Sequence, residues 1–242
     1  MTTIAALIAS CDTRQPALGC PVEGVDWVAT YKPVGKNKCL ALPGELLGLQ
    51  KYIQPSGEQL LALKPQMLND MDPTNELDPE HPPYSLGVLP AEADAEGFCN
   101  VSSVSVAEKH VPEDPEEFLP ADAVYRWSNV RLVALPEVPG TQLIANLEYT
   151  EDGCTAQYEV WAMWPGDLDC ADEDSPDEPD DSLCQHSESI PPDFAVTCDP
   201  DLLLCVPARR PPSLLSAPAL QQRATHPSNS FGVDGKNQGR KR

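Results

Sequence analysis

Apolar and polar residues alternate most regularly between positions 124 and 164. Leu143, Ala145, Leu147 and Tyr149 fall on one side of an extended chain, with Ile144, Asn146, Glu148 and Thr150 on the other. After Glu151, Asp152 and Gly153 the alternation resumes, with Ala156, Tyr158, Val160 and Ala162 opposite Thr155, Gln157, Glu159 and Trp161. A period of two on both sides of a short glycine turn predicts an antiparallel hairpin with one buried face. Residues 124–135 predict a strand before it, broken by the Pro136 to Gly140 segment. Tyr149, Tyr158, Trp161 and Trp164 would supply much of the buried area.

The rest of the chain is less regular. Residues 25–31 (VDWVATY) carry the β-branched and aromatic residues of a strand. A turn over 32–37 with Pro33 and Gly35 and a returning strand over 38–42 complete a second hairpin in this reading. Residues 44–71 are rich in helix formers, and Leu46, Leu47, Leu49 and Tyr52 suggest one apolar helix face. Pro55, Gly57 and Pro65 would cut that helix into short pieces, and Ser56 with Gln59 resembles a capping box. Residues 70–83 and 111–120 read as acidic, proline-rich loops, and 84–89 as a partly buried segment. The expected fold is mainly β: an antiparallel sandwich or open barrel with short helices, disulfide staples, long acidic loops and a disordered C-terminal tail.

Composition changes this picture in two ways. The 242 residues include 38 acids, 16 bases and 27 prolines, giving a formal charge of -22. Proline at that level disfavours long helices, and so large a negative charge argues against a direct grip on nucleic acid. No run of 18 apolar residues exists to span a bilayer as a helix. The imbalance is uneven. From Arg209 to Arg242 there are seven bases and one acid, so the body before it carries -28. Leu, Ile, Val and Phe total 53, near the lower bound of about 20 % for a packed core, so the body needs covalent support.

Nine cysteines can supply it. An odd count leaves one over. If Cys11 is set aside, then Cys20, Cys39, Cys99, Cys154, Cys170, Cys184, Cys198 and Cys205 suffice for four disulfides, as suits an exported protein. Connectivity does not follow from sequence. Locally, 198–205 reads as a hairpin with its two cysteines facing each other, and Cys170 with Cys184 could clamp the base of the acidic loop between them. No C-x2-C pair occurs, and His81, His110, His186 and His226 are not spaced as partners for cysteine pairs, which disfavours structural zinc.

Residues 1–11 read MTTIAALIASC. An aliphatic residue, two small ones and a cysteine, Ile8-Ala9-Ser10-Cys11, resemble the lipobox of bacterial lipoproteins, and Leu7 extends the apolar run. The segment before it has no Lys or Arg and its apolar run is short, whereas export signals have a positive start. By this resemblance Cys11 becomes the first mature residue, with a diacylglycerol on sulfur and an acyl chain, such as palmitate, on its amine. Acidic, cysteine-clamped loops with little lysine are similar to exported lipoproteins of myxobacteria. The resemblance implies a cell-envelope protein held to the outer or inner membrane and facing the periplasm or the surface. By the family's sorting rule, Asp12 after the cysteine favours the inner membrane in some lineages; the outer membrane is the preferred expectation.

Candidate chemistry is sparse. Residues 167–181 hold nine acids, and Asp167, Asp169, Asp172, Asp174 and Glu178 form a weak calcium candidate. Asp172 stands where a calcium loop of the EF-hand type needs glycine, so a solvated loop is the simpler reading. There is no nucleophile elbow, phosphate loop or dinucleotide fingerprint. Asn100-Val101-Ser102 fits a glycosylation acceptor, and residues 236–242 (KNQGRKR) fit a basic targeting patch, which eight paired cysteines argue against. The expected layout is a signal segment over 1–10, a lipid-anchored tether over 11–24, an acidic β-rich domain over 25–206 and a basic tail over 207–242. The expected role is a membrane-anchored binding or structural module without catalysis and without a cofactor, beyond weak calcium, whose partner is an unidentified envelope or extracellular one. The competing readings are a secreted, calcium-stabilised binding module and an exported hydrolase.

Overall fold

The structure is a computed structural model and describes residues 19–36, 42–71, 80–111, 121–171 and 178–216. Nine strands form one antiparallel sheet: β1 Asp26–Pro33, β2 Gly44–Ile53, β3 Gln59–Pro65, β4 Ser85–Leu89, β5 Phe98–Asn100, β6 Ala107–Val111, β7 Ala121–Leu135, β8 Val138–Glu151 and β9 Cys154–Met163. Their order is β4-β3-β2-β1-β9-β8-β7-β5, with β6 also on β7. The sheet curls until its ends nearly meet. Val88 of β4 exchanges backbone hydrogen bonds with Ser102, just past β5, at 2.7 and 3.0 Å. The result is an open barrel, stitched there and where the Ser105 N–H donates to the Leu86 carbonyl at 2.8 Å, rather than closed by a continuous ladder. A short helix, α1 Gln66–Asp70, follows β3.

Alternation decides which side chains enter the barrel. Trp27, Ala29 and Tyr31 of β1, Leu47 and Leu49 of β2, Leu61 and Leu63 of β3, Leu143 to Tyr149 of β8 at every second residue, and Ala156 to Ala162 of β9 form one buried cluster. Burying each large apolar side chain contributes about 1.5–3 kcal/mol. The β8–β9 hairpin has the anticipated register, with Glu151 opposite Cys154. Its turn residues Asp152 and Gly153 both have positive φ, 47° and 80°, as a type I′ turn requires, and such a turn matches the twist of the flanking strands. In β7 the inward residues change parity. Ala123, Tyr125 and Trp127 point in, then Val130, Leu132 and Ala134 do. A register shift between Ser128 and Arg131 absorbs the extra residue, with Asn129 at φ 50°.

The outer face of the barrel carries a second layer. α2 Asp181–His186 and the hairpin of β10 Val196–Cys198 with β11 Cys205–Pro207 make a small lobe. Phe194, Ile190 and Val206 of the lobe bury Val28, Met163, Val133 and Val138 from the outer side of the sheet. Two disulfides hold it, Cys170–Cys198 and Cys184–Cys205. Another, Cys20–Cys99, ties the entering chain to β5.

Several expectations need correction. Residues 44–65 are two strands, not helix. Leu47 and Leu49 face Leu63 and Pro65 across a two-residue period, and Pro55-Ser56-Gly57 makes the hairpin turn rather than a helix cap. Packing into the barrel overrides the helix propensity of leucine. The partner that β1 finds is β2, beginning at Gly44 and not at 38; residues 37–41 lie outside the described ones. The folded body is also wider than 25–206. Gly19 bridges to Glu92 and the Glu23 N–H donates to the Gly140 carbonyl, while Ser213 is buried with its N–H on Gln142 Oε1 at 2.7 Å. The tail from 217 onward lies outside the described residues.

Candidate functional site

The lobe sits over β1 and β9, in the middle of the outer face. On each side of it the sheet has an opening. Over β2, β3 and β4 lies an apolar groove of about 420 Å³, floored by Gly48 and Ala62 and edged by Tyr52, Leu60, Tyr84 and Leu86. Tyr52 and Tyr84 are exposed. The only ionisable cation in its lining is Lys64, whose ammonium donates to Asn69 Oδ1 at 2.9 Å. The groove suits an apolar contact and not proton transfer.

On the other side, over β5, β7 and β8, lies a polar cleft of about 440 Å³. The β7 bulge builds it. By inserting one residue it turns Asn129 and Arg131 outward beside Ile144 and Asn146 of β8. Asn100 of β5 and Arg210 of the lobe's final segment complete the rim. The Arg131 guanidinium lies 4.6 Å over the Phe98 ring, and Arg210 Nε donates to Glu159 Oε1 at 2.6 Å.

Inside the barrel is a second polar group, a buried one. Glu45 of β2 is 8 % exposed. Its Oε1 accepts from the Tyr31 hydroxyl at 2.6 Å and the Tyr125 hydroxyl at 2.8 Å. Its Oε2 accepts from the Met67 N–H at 2.7 Å, the start of α1. The Tyr149 hydroxyl contacts Met67 Sδ at 3.1 Å. Burial is the main cause that raises the Glu45 carboxyl above the usual carboxylate range, against the lowering effect of the three donors. Burial, then the Glu45 charge, pushes the Tyr31 and Tyr125 phenols up. Every acceptor of Glu45 is spent inside the core, so it fixes α1 at the mouth of the barrel rather than serving a substrate.

The anticipated calcium residues are placed differently. Asp167, Asp169 and Glu178 are exposed, and Asp169 Oδ1 accepts from the Ala171 N–H at 2.8 Å. Asp172 and Asp174 lie outside the described residues. Asp181 Oδ1 instead accepts from Thr197 Oγ1 at 2.7 Å and the Cys198 N–H at 2.6 Å, docking α2 onto β10. Asp94 accepts from the N–H groups of Phe98 and Glu96 and from Asn100 Nδ2, which holds its carboxyl below the usual range. The acids of these loops cap backbone N–H groups that turns leave unpaired.

Cysteine placement is only partly as anticipated. The 198–205 segment is a hairpin with Cys198 opposite Cys205. The cysteines bond elsewhere, to Cys170 and Cys184, so the acidic loop is clamped through the hairpin rather than by a direct Cys170–Cys184 bond. The sulfurs of Cys170, Cys184 and Cys205 lie within 4.8 Å of one another because these two bridges stack. Cys154 is oxidised as well. Cys11 and Cys39 lie outside the described residues. Sequence reasoning missed Asn129, Arg131 and Asn146 as a group; the parity change after Trp127 was the signal for the bulge that gathers them.

Residues 25–165 match the MlpA family, a span that runs from the start of β1 to just past β9. The chain belongs to the MlpA family. A Myxococcus xanthus protein whose name is "Putative lipoprotein MlpA" is 31 % identical over 225 residues, covering 86 % of this chain and 92 % of that protein. The likeness to a myxobacterial lipoprotein that the N-terminal residues and composition suggested is thus borne out at the level of family. No solved structure matches the chain. In this MlpA-family protein the family match covers the barrel, and the N-terminal motif and the disulfide lobe fall outside the matched span.

Proposed function

We propose that this protein is a cell-envelope lipoprotein, acylated at Cys11, that holds a disulfide-stapled β domain close to a membrane as a binding module rather than an enzyme. The observation that carries the anchor is the fate of the cysteines. All seven cysteines among the described residues are oxidised, and six of them pair among themselves. Cys154 therefore draws on Cys11 or Cys39, and one thiol remains. Val34, at the end of β1, donates its N–H to the Gln157 carbonyl, and the Leu42 N–H donates to the Tyr158 hydroxyl. In sequence Cys39 falls between these two anchors, and we assign it as the partner of Cys154. Cys11 is then the free one, and it is the cysteine of the lipobox-like motif.

An acyl amide added to a diacylglyceryl thioether gives three chains, enough for firm anchoring where one chain gives only reversible binding. Cys11 and Gly19 are joined by seven residues, which reach at most about 28 Å, so the anchor keeps the domain near the lipid surface. Binding is favoured over catalysis by the character of the two openings. One is apolar, the other is lined by amides and arginines, and the buried carboxylate is enclosed. The reading is tested by metabolic labelling with an alkyne fatty acid. Cys11→Ser is expected to abolish incorporation and Cys39→Ser to retain it. Label retained in Cys11→Ser contradicts the assignment.

A further inference from the structure

The cleft over β5, β7 and β8 holds polar groups that the fold does not use. Two of the four arginines among the described residues, Arg131 and Arg210, converge on it in a chain of charge -22. Among the described residues no hydrogen bond engages the Arg131 guanidinium or the side-chain amides of Asn129 and Asn146. The Arg131 guanidinium stacks over the Phe98 ring, a contact that orients the planar fork without consuming its donors, with the Asp94 carboxylate nearby. Arg210 spends Nε on Glu159 and keeps both terminal nitrogens. Asn100 spends Nδ2 on Asp94 at 2.7 Å and keeps its carbonyl. The cleft thus presents a surplus of N–H donors in planar pairs, with the apolar Ile144 at its base.

We infer that this cleft binds a carboxylate-bearing sugar. Arginine recognises a carboxylate through two parallel N–H···O bonds, and an asparagine amide offers one donor and one acceptor to a pair of neighbouring hydroxyls. The nearby acids offset part of the arginine charge but leave most of the N–H donors unused. Glu159 is paired with Arg210, and Asp94, held ionised by two backbone N–H groups and an amide, interacts with the Arg131 charge without taking any of its N–H groups, so the free donors of the cleft are those of Arg131, the Arg210 terminal nitrogens and the amides. The overall negative charge repels an anion only weakly at physiological salt, where screening acts over about 8 Å. The bulge supports the assignment, since an extra residue with positive φ at Asn129 costs backbone strain and re-aims side chains beside a site.

Calorimetric titration of the acylated full-length protein in detergent with digalacturonate, with neutral galactobiose as the comparison, tests this. Digalacturonate is expected to bind at least tenfold more tightly than galactobiose and to weaken with added salt. Arg131→Gln is expected to weaken it at least tenfold and the exposed Asn146→Ala severalfold. Arg126→Gln, an exposed position on β7 outside the cleft, is expected to leave it unchanged. Equal affinity for the two sugars, no heat from either at millimolar concentration, or wild-type affinity in a folded Asn146→Ala and Arg131→Gln pair overturns the inference.

Discussion

Replacing Cys20 and Cys99 together by alanine is expected to cost about 4–5 kcal/mol, the largest loss from removing any of the three described disulfides. The bridge joins residues 79 apart in sequence, and the entropy it removes from the unfolded chain grows with loop length. By the same estimate Cys170–Cys198, with a separation of 28, contributes about 3.5 kcal/mol. The position adds to the effect. Cys20 and Cys99 are both buried in the barrel cluster, and the stitched seam between Val88 and Ser102 begins three residues after Cys99. Against a usual total of about 5–15 kcal/mol, losing this bridge removes much of the margin. Urea unfolding of the double variant checks it; a loss under about 1 kcal/mol counts against the role given to the seam.

Glu45→Ala is the second large effect. The substitution leaves the Tyr31 and Tyr125 hydroxyls and the Met67 N–H without their acceptor inside the core. Each buried polar group left unpaired costs about 1–3 kcal/mol, so a loss of at least about 3 kcal/mol is expected, with α1 released from the barrel mouth. Glu45→Gln separates the charge from the hydrogen bonds. Its amide oxygen still accepts from both phenols, while its NH₂ meets the Met67 N–H, donor against donor. The folded carboxyl binds its proton more tightly than the unfolded one, because burial raises it from 4.5. The stability this contributes is therefore fully present below 4.5 and is lost as pH rises through the folded value. The advantage of wild type over Glu45→Gln should shrink over that window, by about 1.4 kcal/mol for each unit by which the carboxyl is raised. Thermal melts of both proteins between pH 4 and 8 follow the difference, in which the other carboxylates cancel; a difference that grows with pH contradicts the buried, raised Glu45.

What the sequence discloses about this protein follows from where a local pattern agrees with the fold. The β8–β9 hairpin was legible because its alternation, its Asp152-Gly153 turn and its barrel packing all point the same way. Residues 44–65 were misread because leucine serves helix and strand alike, and only the neighbours on β1 and β4 make Leu47, Leu49, Leu61 and Leu63 one face of a sheet. The disulfide framework was legible as a count and not as a pairing, since Cys198 and Cys205 stand opposite each other yet bond to Cys170 and Cys184. The acidic loops suggested a cation from their composition. In the structure several acids of the 167–181 segment, Asp169, Asp180 and Asp181, accept backbone N–H groups, a use that depends on turn geometry and leaves no spacing rule in the sequence. The polar cleft needs three strands and the lobe's last segment, so Asn100, Asn129, Asn146 and Arg210 share no local window; only the parity change in β7 marks it.

The claim on which the functional account rests is the lipid on Cys11. Mass spectrometry of the N-terminal peptide from protein isolated from membranes tests it most directly. The account predicts a mature chain that begins at Cys11 and carries the mass of a diacylglyceryl group and an amide-linked acyl chain. A chain that still begins at Met1, or an unmodified Cys11, contradicts it.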